Sequence, residues 1–455
     1  GNDMNTRAIY LFAGVGILYV LTGVLLSWNV SLNILILGLL SAIMALGVNM
    51  QWGYAGLFST GIVGSIALGG LAVVFVSGNP VPEAFAAGGW QAISGLAVAV
   101  AGIAAAVAAW TYMPPGRARN LAVAVILISG FFLYRGIFDP AVERIEAFDP
   151  ATHGTVGGFG LNSIWAWPVG GVFAAVAAWA IGKIALGLRE DYLAIATLGI
   201  AEIVITAIKS EDWMSRGVKN LVGLPRPWPV PYEVDMQADP GFLAFCANWG
   251  LNPTTTSTLA VKGIYIVMFA IVLGLLIWLL QRALNSPWGR MMRAIRDNEV
   301  SAAAMGKDVK RQHLIIFILG SAVVGMSGAM YVSMLGQLVP GEYTPLRFTF
   351  LIWIMVIVGG SGNNWGSVLG GLLVGWLWRR SGRLCIALPA PSAALIGGVL
   401  LATAYAVFSG WGVPAQRTCL MLATVALLRL SGARWPWSHV WMLACAVVVA
   451  SDPWA

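Results

Sequence analysis

Gly263-Ile264-Tyr265-Ile266-Val267-Met268-Phe269-Ala270-Ile271-Val272-Leu273-Gly274-Leu275-Leu276-Ile277-Trp278-Leu279-Leu280 contains no charged residue and no proline. As a helix it would be apolar on every side, which places it inside a large protein or a bilayer. At about 1.5 Å per residue it reaches roughly 27 Å, close to the ~30 Å thickness of a bilayer's hydrocarbon core. Comparable runs lie at 10–27, 32–50, 62–76, 121–138, 192–208 and 314–334. Of the 455 residues, 59% are hydrophobic and only 10% are charged. Soluble proteins carry about 25% charged residues, so these are too few to build a water-facing surface around such a core. The expected fold is all-α: a polytopic integral membrane protein with about 10–13 transmembrane helices, some broken by Gly-rich segments.

The net charge of +7 does not point to nucleic acid, because the basic residues sit in short loops between apolar spans. Lys and Arg in such loops mark the cytoplasmic side. With Arg7 and the N-terminus cytoplasmic, counting spans forward puts Arg117, Arg119, Lys183 and Arg189 inside. The segment 282–311 follows on the same side, with seven basic residues against three acidic ones. Segment 139–149 has four acidic residues against Arg144 alone, and 209–260 has five against four basic; both fall outside. This orientation predicts a multi-pass membrane protein with a cytoplasmic N-terminus.

Two stretches read as interruptions of spans. One is Gln51-Trp52-Gly53-Tyr54-Ala55-Gly56-Leu57-Phe58-Ser59. The other is Gly359-Gly360-Ser361-Gly362-Asn363-Asn364-Trp365-Gly366, within 348–378. Irregular backbone at membrane depth must face protein or a wet cavity. Such breaks lie beside the substrate path in many transporters, and small residues also permit close helix packing. The two readings are compatible. Candidate path residues are therefore Gln51, Gly53, Tyr54, Gly56, Gly359, Gly360 and Asn363, together with Glu202, a lone carboxylate in the middle of a span. An intramembrane acid is a functional candidate by default, and its alternative role is a hydrogen bond between helices. As one broken span, 348–378 would end inside at Arg379, Arg380 and Arg383.

Segment 286–297 predicts a short helix, with Ser286 as N-cap and Pro287 at the first helical position. Asp297 or Asn298 would cap a second helix through Ala304, closed by a left-handed turn at Gly306. Two short capped helices form an ordered knob suited to the cleft of a soluble partner. The alternative is an interfacial helix with snorkelling arginines.

The run Arg293-Ala294-Ile295-Arg296-Asp297-Asn298-Glu299, followed by Ala302-Ala303 and Gly306, resembles the cytoplasmic coupling loop of ABC importer permeases. The likeness is greatest to the branched-chain amino acid (hydrophobic amino acid and amide uptake) family, M-type subunit. Asn49-Met50-Gln51-Trp52-Gly53-Tyr54, Asp191-Tyr192-Leu193-Ala194-Ile195-Ala196-Thr197-Leu198, Glu202-Ile203, Gly223-Leu224-Pro225-Arg226-Pro227, Gly328-Ala329-Met330-Tyr331 and the second glycine stretch also match. The resemblance covers roughly 30–77 and 165–378. It implies a permease for branched-chain amino acids or a similar small polar solute, with urea or amides possible. Implied partners are a second related permease, two cytoplasmic ATP-binding subunits and a periplasmic solute-binding protein, besides membrane lipid. Arg293, Arg296, Asp297, Glu299, Ala302, Ala303 and Gly306 would couple to the ATPase. The chain has no GxxxxGK[ST] phosphate loop, so no cofactor is expected on it and ATP would be used by the partners.

The resulting domain scheme has N-terminal helices in 1–77, an inserted helix pair in 78–164 (spans near 92–112 and 119–138), a permease core in 165–383 and an atypical apolar region in 384–455. The last region has no lysine or glutamate and holds Cys385, Cys419 and Cys445; a shifted reading frame and a true extension are both open. Cys246 completes the cysteines, and no CxxC pair occurs. His153, His313 and His439 have no partner histidines nearby in sequence, and no Ser-His-Asp or paired-carboxylate pattern stands out, so an enzyme is disfavoured. A stand-alone secondary transporter or channel is the alternative, and it would need charged relays in several spans.

Overall fold

The computed structural model describes residues 2–148, 154–380 and 413–430, with a few isolated positions among 399–447. Asp149, His153, Arg383, Cys385, His439 and Cys445 lie outside the described residues. Gly1–Trp376 forms one compact unit and Leu377–Ala455 another. Among the described residues, eight helices are long and apolar enough to cross a membrane, and three shorter apolar helices accompany them.

The chain opens with α1 (Asn2–Leu25) and α2 (Trp28–Val48), which runs on into a π-turn at Asn49–Tyr54. After loop 55–61 comes α3 (Ile62–Ser77), then α4 (Pro82–Tyr112) and α5 (Arg117–Ala147), then α6 (Ala166–Ala185) and α7 (Glu190–Ser210). Short pieces follow: α8 (Asp212–Ser215), β1 (Leu221–Val222), α9 (Glu233–Ala238) and α10 (Pro240–Asn248). The long α11 (Pro253–Asn285) leads to α12 (Pro287–Asp297), α13 (Glu299–Ala304) and α14 (Val309–Leu335). β2 (Gln337–Leu338) pairs antiparallel with β1. A π-turn at Leu346–Phe350 then enters α15 (Leu351–Gly359), which is followed by α16 (Asn364–Arg380). In the second unit, α17 (Val413–Leu430) includes the buried, unbridged Cys419.

Lipid tails are as apolar as leucine, so helices in a bilayer associate through close packing of small residues. That is how α3, α6 and α14 meet. A Cβ on Gly69 would overlap the Gly325 carbonyl oxygen, and one on Gly170 would lie 3.1 Å from Gly69 O and 3.2 Å from Gly325 O. The three backbones thus touch at one point. Elsewhere on the same helices, Gly182 of α6 lies against Leu314 and Phe317 of α14, and Trp167 Nε1 donates to Ser333 Oγ at 3.2 Å. Helix α6 therefore ends where α14 begins, on the side of the basic loop 282–311.

Helix α3 is sixteen residues long and reaches only about 24 Å. Loop 55–61 makes up the remaining depth, with Ser59 and Thr60 buried in protein. Thr60 Oγ1 donates to Ala194 O, and Thr60 N–H to Thr197 Oγ1 at 3.1 Å, so α7 satisfies the loop's polar groups. The loop lies at the basic-loop end of α2.

The second glycine stretch is not a break within one span. Positions Gly359 and Gly366 abut, as do Met355 and Gly370, so α15 and α16 form an antiparallel hairpin. Helix α16 then runs away from the basic-loop side: Tyr19 donates to Leu372 O at 3.0 Å and Trp376 Nε1 to Thr22 Oγ1 at 2.9 Å. The expected ending at Arg379 and Arg380 on the basic-loop side therefore fails. Charge counting assumed one crossing, whereas the glycines allow the backbone to reverse and the two helices to pack.

Helices α4 and α5 start earlier and end later than the spans expected near 92–112 and 119–138, and 139–147 is helical rather than a loop. Helix α5 passes through Pro140, directly after the exposed Arg135–Asp139 ion pair at 2.7 Å. Helices α4 and α5 pack chiefly on each other. Their shared base (Ala84, Ala92, Phe138, Ala141, Ile145) rests on Trp213, whose N–H donates to Glu146 Oε1 at 3.1 Å.

Replacing Gly69 by valine is expected to destabilise the α3–α6–α14 junction by at least ~2 kcal/mol, since overpacking a tight core costs about 1–3 kcal/mol. A fall in melting temperature of the detergent-extracted protein would show it, and an unchanged value would contradict the three-backbone contact.

Candidate functional site

Helix α12 begins where α11 is stopped by Ser286-Pro287. Ser286 takes the N-cap position, but its hydroxyl donates backward to Ala283 O instead of capping α12. The last carbonyls of α11 lack helical partners and attract it. Gly289, Met292 and Ile295 form the inward stripe, with Met292 0% and Ile295 1% exposed. Gly289 is required here: any Cβ would collide with the Leu284 carbonyl. Trp288 Nε1 donates to Gln312 Oε1 at 3.0 Å and ties α12 to α14. Arg293 reaches Gly289 O at 3.3 Å and Leu284 O at 3.2 Å, so it caps the end of α11.

Asn298, rather than Asp297, caps α13, accepting from Ser301 N–H at 2.9 Å. Ala302 is buried, and Gly306 adopts φ +77°, the expected left-handed closure. Glu299, Val300, Ala303 and Met305 face outward, with Val300 and Met305 each 80% exposed.

The turn after α2 and the turn between α15 and α16 meet beside α12. Asn49 is fully buried; its Nδ2 donates to Asn364 Oδ1 at 3.1 Å and its Oδ1 accepts from Gly362 N–H at 2.8 Å. Arg296 Nη1 donates to Gly53 O, while its Nε and Nη2 hold Asp297 Oδ1 at 3.3 and 3.2 Å. Trp353 of α15 stacks edge-on against Trp52 at 4.8 Å, packs on Phe58 at 4.6 Å and donates from Nε1 to Ser59 O at 3.1 Å. Three stretches distant in sequence thus form one cluster at the basic-loop end of the bundle.

The sequence that builds this arrangement has relatives. A family described as branched-chain amino acid transport system / permease component matches residues 147–404. The chain belongs to that family. It is 28% identical over 218 residues to the Escherichia coli high-affinity branched-chain amino acid transport system permease protein LivM, covering 48% of this chain and 50% of that protein. It is 26% identical over 265 residues to a probable LivM of Methanocaldococcus jannaschii, covering 56% and 69%. A shorter match, 32% over 114 residues, joins 25% of the chain to 35% of that archaeon's probable LivH. The chain spans about half the length of the enterobacterial relatives it matches. A second family, described as Competence protein, matches residues 361–455, and the Escherichia coli protein YcaI is 43% identical over 59 residues, 13% of this chain and 8% of that protein. No solved structure matches.

Within this permease-family chain the candidate path residues separate. Gly53, Gly56, Gly359, Gly360 and Asn363 lie at the two turns, with Gly56 at φ +73° against the Arg296 stem. Asn363 Oδ1 accepts from Gly366 N–H at 3.2 Å and opens α16. Tyr54 is buried beside them. Gln51 lies deeper, donating to Phe317 O at 3.0 Å and Ser321 Oγ at 2.9 Å. Ser59, Ser65 and Thr197 join Gln51 and Ser321 around a cavity of about 20 Å³, room for one water. Glu202 is apart from all of these, exposed on α7 beside Ile203. Asn49, Gly289 and Trp353 were not singled out from sequence. Asn49, an amide ending an apolar run, carried the one readable signal.

Gly289→Ala is expected to lift α12 off the bundle while α11 and α14 insert normally. A cysteine at Ile295 should then react with a water-soluble thiol reagent at least tenfold faster than in the Gly289 parent.

Proposed function

We propose that this chain is a membrane-spanning subunit of an ATP-driven importer in a bacterial inner membrane, with the basic loop cytoplasmic. The observation that carries this reading is the two-sided knob α12–α13. One side is wedged into the bundle by Met292, Ile295 and Ala302. The other offers Val300 and Met305, each 80% exposed, to water. An ordered apolar patch on the water side is a surface for a protein partner. In a chain without a phosphate loop, the partner that fits is a pair of ATP-binding subunits whose motion enters through this contact. A periplasmic solute-binding protein would deliver the solute. The names of the relatives support a branched-chain amino acid or a similar small polar solute.

Glu202 supports a second, related permease subunit on the α7 face. A carboxylate directed at lipid costs about 2.5–3.5 kcal/mol at the centre of a span. Ile195 and Ile203 flank it at 69% and 67% exposure. A facing subunit would give Glu202 a donor or a wet path. The region after Arg383 reads as a joined segment, since the product of a shifted frame would not be expected to match a second protein family.

Val300→Asp combined with Met305→Asp is expected to leave membrane insertion intact while co-purification of the ATP-binding subunits falls at least tenfold. Retention of those subunits at the parental level would remove the knob as their dock. Glu202→Gln should lower uptake per assembled complex at least fivefold; equal uptake would take Glu202 off the path.

A further inference from the structure

Arg296 belongs by sequence to the loop that faces the ATP-binding subunits, yet its guanidinium turns inward. The π-turn at Asn49–Tyr54 ends a helix whose final carbonyls have no further turn to bond. Leu57 N–H returns to Gln51 O at 2.9 Å and Gly56 N–H to Trp52 O at 2.9 Å, and the Gly53 carbonyl receives Arg296 Nη1. The same Nη1 lies 3.1 Å from where a Cβ on Gly362 would stand, just past the end of α15. Helix α2, extended by its π-turn, therefore directs its C-terminal, electronegative end at this guanidinium, a favourable place for a cation. Asp297 Oδ1 occupies Nε and Nη2 and aims the remaining donor.

The two turns are not independent. Asn49 bonds Gly362 N–H and Asn364 Oδ1 at full burial, and Gly53 packs so closely on Gly362 N that neither turn can slide past the other. Apolar packing by Met292 and Ile295 resists withdrawal of α12 from the bundle but, being non-directional, offers little against sliding along it. A charged hydrogen bond to a backbone carbonyl resists both.

We propose that Arg296 is a positioning residue that ties α12 to the two hairpin turns, so that displacement of the loop moves both turns as one body and opens or closes the pathway's loop-side end. This rests on the importer reading above. It separates Arg296 from Glu299, Val300 and Met305: those meet the partner, whereas Arg296 passes the motion inward.

The test uses the assembled complex in lipid nanodiscs, measuring subunit retention, ATP hydrolysis and solute uptake for the parent, Arg296→Gln and Arg296→Lys. If the parent shows no ATP-dependent uptake, the importer reading falls and this proposal falls with it. With a working parent, Arg296→Gln is expected to keep the ATP-binding subunits and hydrolysis within twofold while ATP consumed per solute imported rises at least tenfold. Arg296→Lys, which keeps a charge and one donor for Gly53 O, should fall between. Asn49→Ala added to Arg296→Gln should change the ratio by less than twofold further, because both act on one link. Loss of the ATP-binding subunits in both Arg296 variants would make it a docking residue and overturn the proposal. Parental coupling in Arg296→Gln would overturn it while leaving the importer reading intact.

Discussion

The structure depends on backbone-to-backbone approach at Gly69, Gly170 and Gly325. In a bilayer no hydrophobic force gathers helices, so the bundle has to be assembled from contacts that only small residues permit. Once α3, α6 and α14 meet there, other placements follow. Helix α14 fixes where the basic loop emerges, and side chains on the flanks find partners: Ser321 of α14 accepts from Gln51, and Trp167 of α6 donates to Ser333 of α14.

That same constraint bears on helices α4 and α5. Helices α4 and α5 touch at Gly102 and Gly130, whose added Cβ atoms would stand 3.7 and 3.6 Å from the opposing backbone, and at the base around Gly88. Beyond Trp213 and its neighbours, the pair has no small-residue seam with which to join the core. As two crossings, α4 and α5 leave the sidedness of everything downstream unchanged.

Much of the fold was legible because hydrophobic run length and loop charge are local properties. The spans, the capped loop and the left-handed Gly306 could be read from residues within a few positions of one another. The misreadings have a common cause. Whether 348–378 crosses once or turns back depends on Gly359 meeting Gly366 and Gly370 meeting Met355, contacts that a charge count does not register. Ser286 looks like an N-cap in isolation and becomes a donor to the preceding helix because Pro287, four residues after Ala283, has no N–H to offer the Ala283 carbonyl. The glycine turns and the basic loop were each visible as separate candidates. Their meeting at Asn49 and Arg296 was not, because no local pattern encodes a contact across several hundred residues.

The Asn49 clasp has a consequence for biogenesis. Asn49 and Gly362 are 313 residues apart in the chain. At the roughly 5–20 residues per second of protein synthesis, the interval between their emergence is about 15–60 s. Throughout that time the ribosome-attached chain holds a buried-type amide at the end of α2 without the backbone N–H that will later satisfy it. The N-terminal helices must therefore wait in the membrane in a provisional register, with water or the insertion machinery standing in for Gly362, until the much later α15–α16 hairpin locks them in place.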